Sequence, residues 1–418
     1  MNLVLKSAMI IDENASTHHQ KIRDIEITNG VITKIGEKLP VKNDFKEITY
    51  PNLHVSIGWF DSGVSFGEPG FEERETMANG LSVTAKSGFS DIVLNPTTKP
   101  IPDTNSNIAF LKHLSSNNAT KVHPLGTLTV QQDGIDLAEL FDMKNAGAVG
   151  FYDYKQAVTN ANLLKLALQY TQNFNGLVYS FPSEIKIHGK GMVNEGAVST
   201  RLGLKGIPAF AEELQIARDL SILEYTGGQL HIPTISSAKA VALIKTAKAK
   251  GLKVSCSVAL HNLCFTDETL DGFDTHYKVM PPLRTEQDRK ALVKGVKDGI
   301  IDLVTTDHMP IDIEHKRVEF DNAMYGSIGI EHAFGMLHKL FGLEKAISVL
   351  TTGRDIFNIN TPVLKEGAEA NITLFNPEHS GTYHQDDILS TSKNSMYLSA
   401  AYNGKVYGVI ANKINTLR

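Results

Sequence analysis

The chain has 418 residues, of which 42% are hydrophobic and 21% are charged. The mean hydropathy is −0.13, and no apolar run reaches the ~18 residues that a membrane-spanning helix needs. The 41 basic and 46 acidic residues leave a net charge of −5, so we expect neither a nucleic-acid-binding protein nor one that binds membranes. The two cysteines, Cys256 and Cys264, have no metal-ligand spacing, which is typical of reduced thiols in a cytoplasmic protein.

Both ends of the chain have a β-type pattern. Residues 1–50 contain short β-rich runs separated by turns, and the same pattern returns from about residue 366 onward. The middle of the chain alternates short strands with amphipathic helices instead. We therefore expect a small β-sandwich domain built from both termini, residues 1–52 and 366–418, beside an α/β domain of residues 53–365.

The middle segment contains eight predicted strands, and helices lie between them. The strands are WFDSGV (59–64), DIVLNP (91–96), VHPLGTL (122–128), AVGFYD (148–153), LVYSFP (177–182), QLHIPTI (229–235), KVSCSV (253–258) and DLVTTD (302–307). Eight strand–helix units indicate a (β/α)8 TIM barrel, although alternation alone also fits an open doubly wound sheet. The sequence has neither a G-x-G-x-x-G motif after the first strand nor a P-loop, which removes the main support for a nucleotide-binding fold.

In a TIM barrel the reactive groups project from the carboxyl ends of the strands. The residues at those ends are Asp61, Gly63, Ser65, Asn95, Thr97, Asp153, Phe181, His231, Thr234, His261, Asp307 and His308. Three carboxylates and three histidines at one mouth fit a hydrolytic site. Buried polar residues that merely bind neighbouring loops fit the same pattern.

Four blocks of the sequence resemble the dihydroorotases, the cyclic amidohydrolases of pyrimidine biosynthesis. They are GWFDSGVSFGEPGFEERETMANGLSVTAKSGFSDIVLNPTTKP, MVNEGAVSTRLGLKGIPAFAEELQIARDLSILEYTGGQLHI, KVMPPLRTEQDRKALVKGVKDGIIDLVTTDHMP and EGAEANITLFNP. The blocks occur in the family's order along the whole chain, and allantoinases and hydantoinases are more distant relatives. The resemblance implies an amidohydrolase-type TIM barrel with a terminal β-domain.

The resemblance also implies a zinc site. In the family, one or two Zn²⁺ ions activate the water that attacks a ring amide, and a carboxylate after the last strand moves the proton. The family's ligands are an H-x-H pair after the first strand, a Lys or Asp after the fourth, one His after each of the fifth and sixth strands, and the final Asp. In this chain the four histidine positions hold Gly63, Ser65, Phe181 and Thr234, and only Asp153 and Asp307 remain. We therefore expect no metal and no other cofactor, and we interpret Asp307 as a vestigial proton-shuttle position.

The substrate-binding positions that the resemblance implies have changed as well. Gly67 stands in place of the arginine that holds the substrate carboxylate, Thr97 and Met280 in place of asparagines, and Ile311 in place of a histidine. Loss of the arginine alone removes about 2–5 kcal/mol of recognition. Together with the missing metal ligands, these changes predict that dihydroorotase activity has been lost on an intact scaffold.

The first of three hypotheses for the function is a non-catalytic dihydroorotase homologue. The resemblance implies a structural role for such a chain, as a partner of aspartate carbamoyltransferase, which acts one step earlier in the pathway. Inactive dihydroorotase-like chains have this role in some bacteria. We also expect a homo-oligomer.

Two further hypotheses remain open. One is an active cyclic amidohydrolase, a dihydroorotase or an allantoinase- or hydantoinase-like enzyme, with a rebuilt site lined by Asp61, Asp153, His231, His261 and Asp307. The other is a small-molecule sensor, in which Phe181, Met280 and Thr97 make the pocket apolar and disfavour a dianionic ligand. For His231 and His261, a place in the core or at the barrel rim is the simpler interpretation.

Overall fold

The computed structural model describes residues 1–13 and 17–417. The strands are β1 (Asn2–Ile10), β2 (Ile22–Thr28), β3 (Val31–Gly36), β4 (Lys46–Ile48), β5 (His54–Ile57), β6 (Trp59–Val64), β7 (Phe89–Leu94), β8 (Lys121–Pro124), β9 (Val178–Tyr179), β10 (Val193–Asn194), β11 (Gly206–Ile207), β12 (Leu230–Ile232), β13 (Val254–Ala259), β14 (Leu303–Thr305), β15 (Ile372–Thr382), β16 (Ala401–Ala411) and β17 (Ile414–Asn415).

The α-helices are α1 (Met77–Lys86), α2 (Asn105–Leu114), α3 (Leu140–Ala146), α4 (Ala161–Thr171), α5 (Ile185–His188), α6 (Ala197–Leu202), α7 (Ala209–Thr226), α8 (Ala238–Ala249), α9 (Leu260–Cys264), α10 (Glu286–Lys297), α11 (Ile313–Lys316), α12 (Ala333–Phe341) and α13 (Leu343–Thr351). Short 3-10 helices lie at Val130–Gln132, Gln172–Phe174, Asp267–Gly272, Thr275–Tyr277, Ile330–His332, Arg354–Phe357 and Gln385–Asp387. No helix in the described part of the chain has the length and hydropathy needed to cross a bilayer.

Hydroxyl side chains fix the starts of several barrel helices. The side chains of Thr76, Ser237 and Thr285 each accept a hydrogen bond from the backbone N–H three residues further on, at the starts of α1, α8 and α10. Such a cap is worth about 1 kcal/mol. At the other end, α3 stops at Gly147, whose φ of 109° is readily adopted only by glycine.

The eight predicted barrel segments form a closed ring of parallel strands. β6, β7 and β8 pair in that order, and β9, β12, β13 and β14 form a second run. Phe151 joins the two runs by bridging to Gly126 on one side and to Val178 on the other, and Val64 bridges to His308 to close the ring. The barrel predicted from the sequence is therefore confirmed, with its fourth strand reduced to the bridge at Phe151.

Both ends of the chain contribute to one further sheet. Its order is β17-β16-β15-β5-β1-β2-β3, with β4 beside β1, and β15 pairs antiparallel with β5 so that Ile372 faces Ile57. The two termini thus meet as the sequence predicts. Because β5 belongs to this sheet, the sheet extends beyond residue 52, where the sequence placed the domain boundary.

A buried guanidinium joins the base of the barrel to the loop that follows β5. Arg354 has no exposed surface, and it donates hydrogen bonds to the carbonyl oxygen of Gly58 (2.8 Å) and to Asp91 Oδ2 (2.9 Å). Asp91 also bonds to the His123 ring at 3.0 Å. Burial opposes ionisation of Asp91, but His123 and Arg354 together lower its pKa to about 2, so the carboxylate stays charged.

Replacing Arg354 with methionine should lower the free energy of unfolding by about 3–5 kcal/mol, because Asp91 is then a buried charge without its main counter-ion. The matched control is Arg201→Met, since Arg201 and its partner Asp271 are both more than half exposed and a surface pair is worth at most about 1 kcal/mol. Urea unfolding followed by circular dichroism measures both changes. Equal losses in the two variants would contradict this role of Arg354.

Candidate functional site

The loops at the carboxyl ends of the barrel strands surround a cavity of about 700 Å³. Residues 153–157, from the loop after the fourth strand, line one side of it. Residues 132–134, from the loop after the third strand, also line it, and the remaining walls come from the loops after the fifth and later strands and include Phe181, Met280 and Met309. The cavity thus lies where the sequence predicts the functional site to be.

Asp307 forms an ion pair with a lysine that the sequence analysis did not single out. Lys155 Nζ donates a hydrogen bond of 2.8 Å to Asp307 Oδ2, and the two side chains are only 11% and 5% exposed. Burial raises the pKa of Asp307, and the charge and hydrogen bond of Lys155 oppose that rise. The positive charge at this carboxylate is therefore supplied by the chain itself.

The local backbone directs Lys155 across the barrel mouth. Lys155 has a φ of 55°, in the left-handed region, and its N–H donates to the hydroxyl of Tyr152 at 3.0 Å. A left-handed residue costs free energy unless its surroundings hold it. Here the Tyr152 hydrogen bond and the ion pair with Asp307 hold both ends of the residue.

A phenol lies beside the same carboxylate. Tyr154 Oη is 3.5 Å from Asp307 Oδ1 and 3.6 Å from Met309 Sδ. Burial and the nearby Asp307 charge raise the pKa of Tyr154 well above its ordinary value, and a hydrogen-bond interaction with the Ser65 side chain opposes that rise. The phenol is therefore neutral, and it lies between Ser65 and Asp307, two positions at which the family resemblance implies metal ligands.

The oxygens of Asp153 are used by a neighbouring loop. Asp153 Oδ1 accepts hydrogen bonds from the N–H groups of Leu128 (2.9 Å) and Thr129 (3.0 Å), and Oδ2 accepts one from the Thr129 hydroxyl (2.6 Å). Burial raises the pKa of Asp153, although these hydrogen bonds oppose the rise. The carboxylate anchors the loop after the third strand, although it also forms part of the cavity wall.

Asp61 has its hydrogen bonds inside the barrel. Its carboxylate accepts from the Thr305 hydroxyl (2.7 Å), from the Gly63 N–H (3.0 Å), and from both the N–H and the hydroxyl of Thr306. Burial raises its pKa to about 6 in spite of these bonds. Asp61 is 1% exposed and does not line the mouth cavity.

The two candidate histidines have different surroundings. Both ring nitrogens of His231 bond to hydroxyls, Nδ1 to Ser255 (2.8 Å) and Nε2 to Ser257 (3.2 Å), so His231 is a satisfied core residue. His261 Nε2 lies 3.9 Å from Asp307 Oδ2 and has no hydrogen-bond partner among the described residues. Burial, with a contribution from the Lys155 charge, lowers the pKa of His261 to about 3.

The expected metal-ligand positions are integrated into the local packing. Phe181 belongs to an apolar cluster that also contains Met280. Thr234 has a φ of 47°, and its hydroxyl, like that of Thr97, is buried without a partner in the described part of the chain. A Cβ atom at Gly63 would lie 2.9 Å from Thr305 Oγ1.

The arginine position is closed by the backbone. A Cβ atom at Gly67 would lie 1.8 Å from the carbonyl oxygen of Phe71, so no side chain fits there unless the loop moves. Ile311, at the expected histidine position, is 1% exposed. The contacts that the resemblance implies for a substrate carboxylate therefore have no counterpart at these two positions.

The side chains present do not fit a catalytic zinc ion. Such a site needs at least three protein ligands with nitrogen, sulfur or oxygen donors. In residues 1–13 and 17–417, no group of three or more His, Cys, Asp or Glu side chains could hold a metal. The carboxylate of Asp307 is paired with Lys155, and that of Asp153 accepts three hydrogen bonds from Leu128 and Thr129.

Among the five residues proposed for a rebuilt site, His261 and Asp307 have side chains within 4 Å of each other, whereas Asp61, Asp153 and His231 bond to other groups. Sequence reasoning missed Tyr154 and Lys155, which complete the surroundings of Asp307. The one available signal was the sequence FYDYK, with a lysine two residues after the fourth-strand carboxylate.

Comparison with known proteins gives the family. Residues 55–240 match the family model described as dihydro-orotase-like. The dihydroorotase of Pelotomaculum thermopropionicum is 36% identical over 98% of this chain and 97% of its own length. The chain belongs to the dihydroorotase family. The dihydroorotase of Geobacter metallireducens is 32% identical, with 99% of both chains covered.

Solved structures of this fold include two enzymes with lower sequence identity. The L-hydantoinase (dihydropyrimidinase) of Arthrobacter aurescens superposes with a TM-score of 0.84 at 19% identity, over 100% of this chain and 97% of that one. The D-hydantoinase of a Thermus species gives a TM-score of 0.82 at 17% identity, over 97% and 93%. These likenesses establish the amidohydrolase fold for the dihydroorotase-like chain.

Buried histidines should make the stability depend on pH. Burial lowers the pKa of four of them to about 3: His231, His261, His308 and His332. An unfolded histidine titrates near 6.5, so unfolding takes up protons between about pH 6.5 and pH 3. The free energy of unfolding should fall as the pH falls through that window, by about 1.4 kcal/mol per pH unit for each histidine. His231→Gln should remove one such contribution to the slope, whereas His379→Gln, at an exposed position, should not. The slope of the free energy of unfolding against pH is measured by unfolding at several pH values. Equal slopes for the wild-type chain and His231→Gln would contradict the low pKa assigned to His231.

Proposed function

We propose that this chain is a non-catalytic member of the dihydroorotase family. The observation that carries the proposal is the pair of side chains at Asp307. Lys155 forms an ion pair with this carboxylate, and the Tyr154 phenol lies against its other oxygen. In the family's pattern this is the carboxylate that contacts the metal and moves the proton. Here the ammonium of Lys155 and the phenol of Tyr154 contact this carboxylate instead.

Energetics favours this arrangement over metal binding. To reach Asp307, a cation must break a largely buried ion pair and leave Lys155 without its partner. Breaking a buried pair typically costs about 3–5 kcal/mol. In return the site offers the carboxylate of Asp307 and the single imidazole of His261, 3.9 Å away. That is fewer than the three protein ligands of a catalytic zinc site, so a divalent ion gains too little to offset the cost.

The test restores histidines at the expected metal-ligand positions, once with Tyr154 and Lys155 present and once with both side chains removed. One variant carries Ser65→His, Phe181→His and Thr234→His. It omits Gly63, where a Cβ would press on Thr305. The second variant adds Tyr154→Ala and Lys155→Gly, since glycine readily adopts the left-handed backbone at 155.

We expect stoichiometric zinc, measured by elemental analysis, only in the second variant, and no dihydroorotate hydrolysis by the wild-type chain. Circular dichroism checks that both variants fold. Zinc in the first variant would show that Tyr154 and Lys155 do not exclude the metal. Zinc with turnover in the wild-type chain would instead support the alternative, an active cyclic amidohydrolase with a rebuilt site.

We further propose that the chain is a structural partner of aspartate carbamoyltransferase. A surface suited to such a role lies on α3 and α4. Phe141, Leu166 and Tyr170 there are each 44–46% exposed, and the rings of Phe141 and Tyr170 each lie 5.5 Å from Phe174. Clustered exposed aromatic residues are typical of protein–protein interfaces.

Mixing the purified chain with the aspartate carbamoyltransferase of the same organism should give a joint complex in size-exclusion chromatography with light scattering. Phe141→Ser combined with Tyr170→Ser should weaken that complex at least tenfold. Ile313→Ser, at an exposed apolar position on α11, is the matched control and should leave it unchanged. Separate elution of the two wild-type proteins would rule out the partnership.

The same measurement on the chain alone reports whether it forms the proposed homo-oligomer. Both proteins are proposed to share the cytoplasm.

A further inference from the structure

The walls of the mouth cavity are apolar and adaptable. The cavity volume of about 700 Å³ lies within the range of small-molecule sites. Its lining includes three methionines and the rings of one phenylalanine and two tyrosines: Met280, Met309, Met324, Phe181, Tyr154 and Tyr325. Thioethers pack well against flat rings because they are flexible and polarizable. The body of a matching ligand is therefore apolar and planar.

Lys155 supplies a directed hydrogen-bond donor in the cavity wall. An ammonium has three N–H groups, and across the described residues Asp307 Oδ2 is its one hydrogen-bond acceptor. Lys155 also lines the cavity. It can therefore donate to a ligand without giving up its bond to Asp307.

The charges around Lys155 select the kind of acceptor. Asp307 already balances the ammonium charge, and Asp133 and Asp153 line the cavity. A ligand carboxylate would add a further negative charge near these three aspartates. A cationic ligand would offer Lys155 no lone pair, so it would gain no hydrogen bond from the ammonium. A neutral carbonyl oxygen avoids both penalties.

We propose that the barrel mouth binds an uncharged, planar, largely apolar molecule whose carbonyl oxygen accepts a hydrogen bond from Lys155. This inference rests on the proposed function, because a metal ion at Asp307 would displace the ammonium. It assigns the remodelled mouth to ligand binding without turnover. A neutral ligand of this kind also differs from the substrate carboxylate that, by the family resemblance, an arginine at the position of Gly67 would bind.

Three probes of nearly equal shape test the charge selection: 2-naphthamide, 2-naphthoate and 2-naphthamidine. Isothermal titration calorimetry and saturation-transfer NMR on the full-length protein measure their binding. We expect 2-naphthamide to bind with one-to-one stoichiometry and at least tenfold more tightly than the other two. Equal or tighter binding of the carboxylate or the amidine, or failure of all three to bind, would overturn the proposal.

Variants locate the binding. Met324→Trp fills the cavity and should weaken 2-naphthamide binding at least tenfold. Lys155→Met combined with Asp307→Leu removes donor and counter-ion together, so that no buried charge is left unpaired, and should weaken it to a similar extent. Lys290→Met, at a lysine whose side chain is 73% exposed, is the control and should have no effect. Unchanged binding in either cavity variant would place the probe elsewhere and refute the assignment.

The two proposals fail in distinguishable ways. Zinc content and dihydroorotate turnover of the wild-type chain are measured on the same preparation. If zinc and turnover are absent but 2-naphthamide does not bind selectively, the ligand assignment alone is wrong. If zinc and turnover are present, the non-catalytic function is wrong, and the Lys155 site fails with it.

Discussion

The ion pair between Lys155 and Asp307 sets the chemistry of the barrel mouth. A carboxylate that is 5% exposed needs a nearby positive charge, and in a metal-dependent amidohydrolase the ion provides it. Here a lysine two residues beyond the fourth-strand aspartate takes that role, and a neutral phenol lies against the other carboxylate oxygen. The imidazole of His261 lies 3.9 Å from the same carboxylate, and Lys155 places a hydrogen-bond donor in the cavity wall.

Other polar residues of the barrel mouth form hydrogen bonds within the scaffold. Asp61 binds the backbone and hydroxyls of the last strand, Asp153 anchors the loop after the third strand, and His231 bridges two serines. Their hydrogen bonds satisfy groups that burial would otherwise penalise. The scaffold therefore keeps polar strand ends for its own stability, whether or not a reaction takes place above them.

The fold could be predicted from the sequence further than the site could. Eight strand–helix units and two β-type ends predict the barrel and the terminal sheet, because burial periodicity and helix-ending glycines such as Gly147 are local signals. The absence of histidines at Gly63, Ser65, Phe181 and Thr234 is also visible in the sequence. The role of Lys155 is not, since it depends on a left-handed backbone at one residue and on a side chain that reaches a carboxylate 152 residues away. Similarly, nothing local shows that the loop at Gly67 leaves no room for a side chain.

The central claim is that Tyr154 and Lys155, rather than a metal ion, occupy the surroundings of Asp307. X-ray diffraction from crystals grown with excess zinc, recorded on both sides of the zinc absorption edge, tests it most directly. We expect continuous density for the phenol and the ammonium at Asp307, with no anomalous peak there. An anomalous peak within coordination distance of Asp307, with Lys155 turned away, would contradict it.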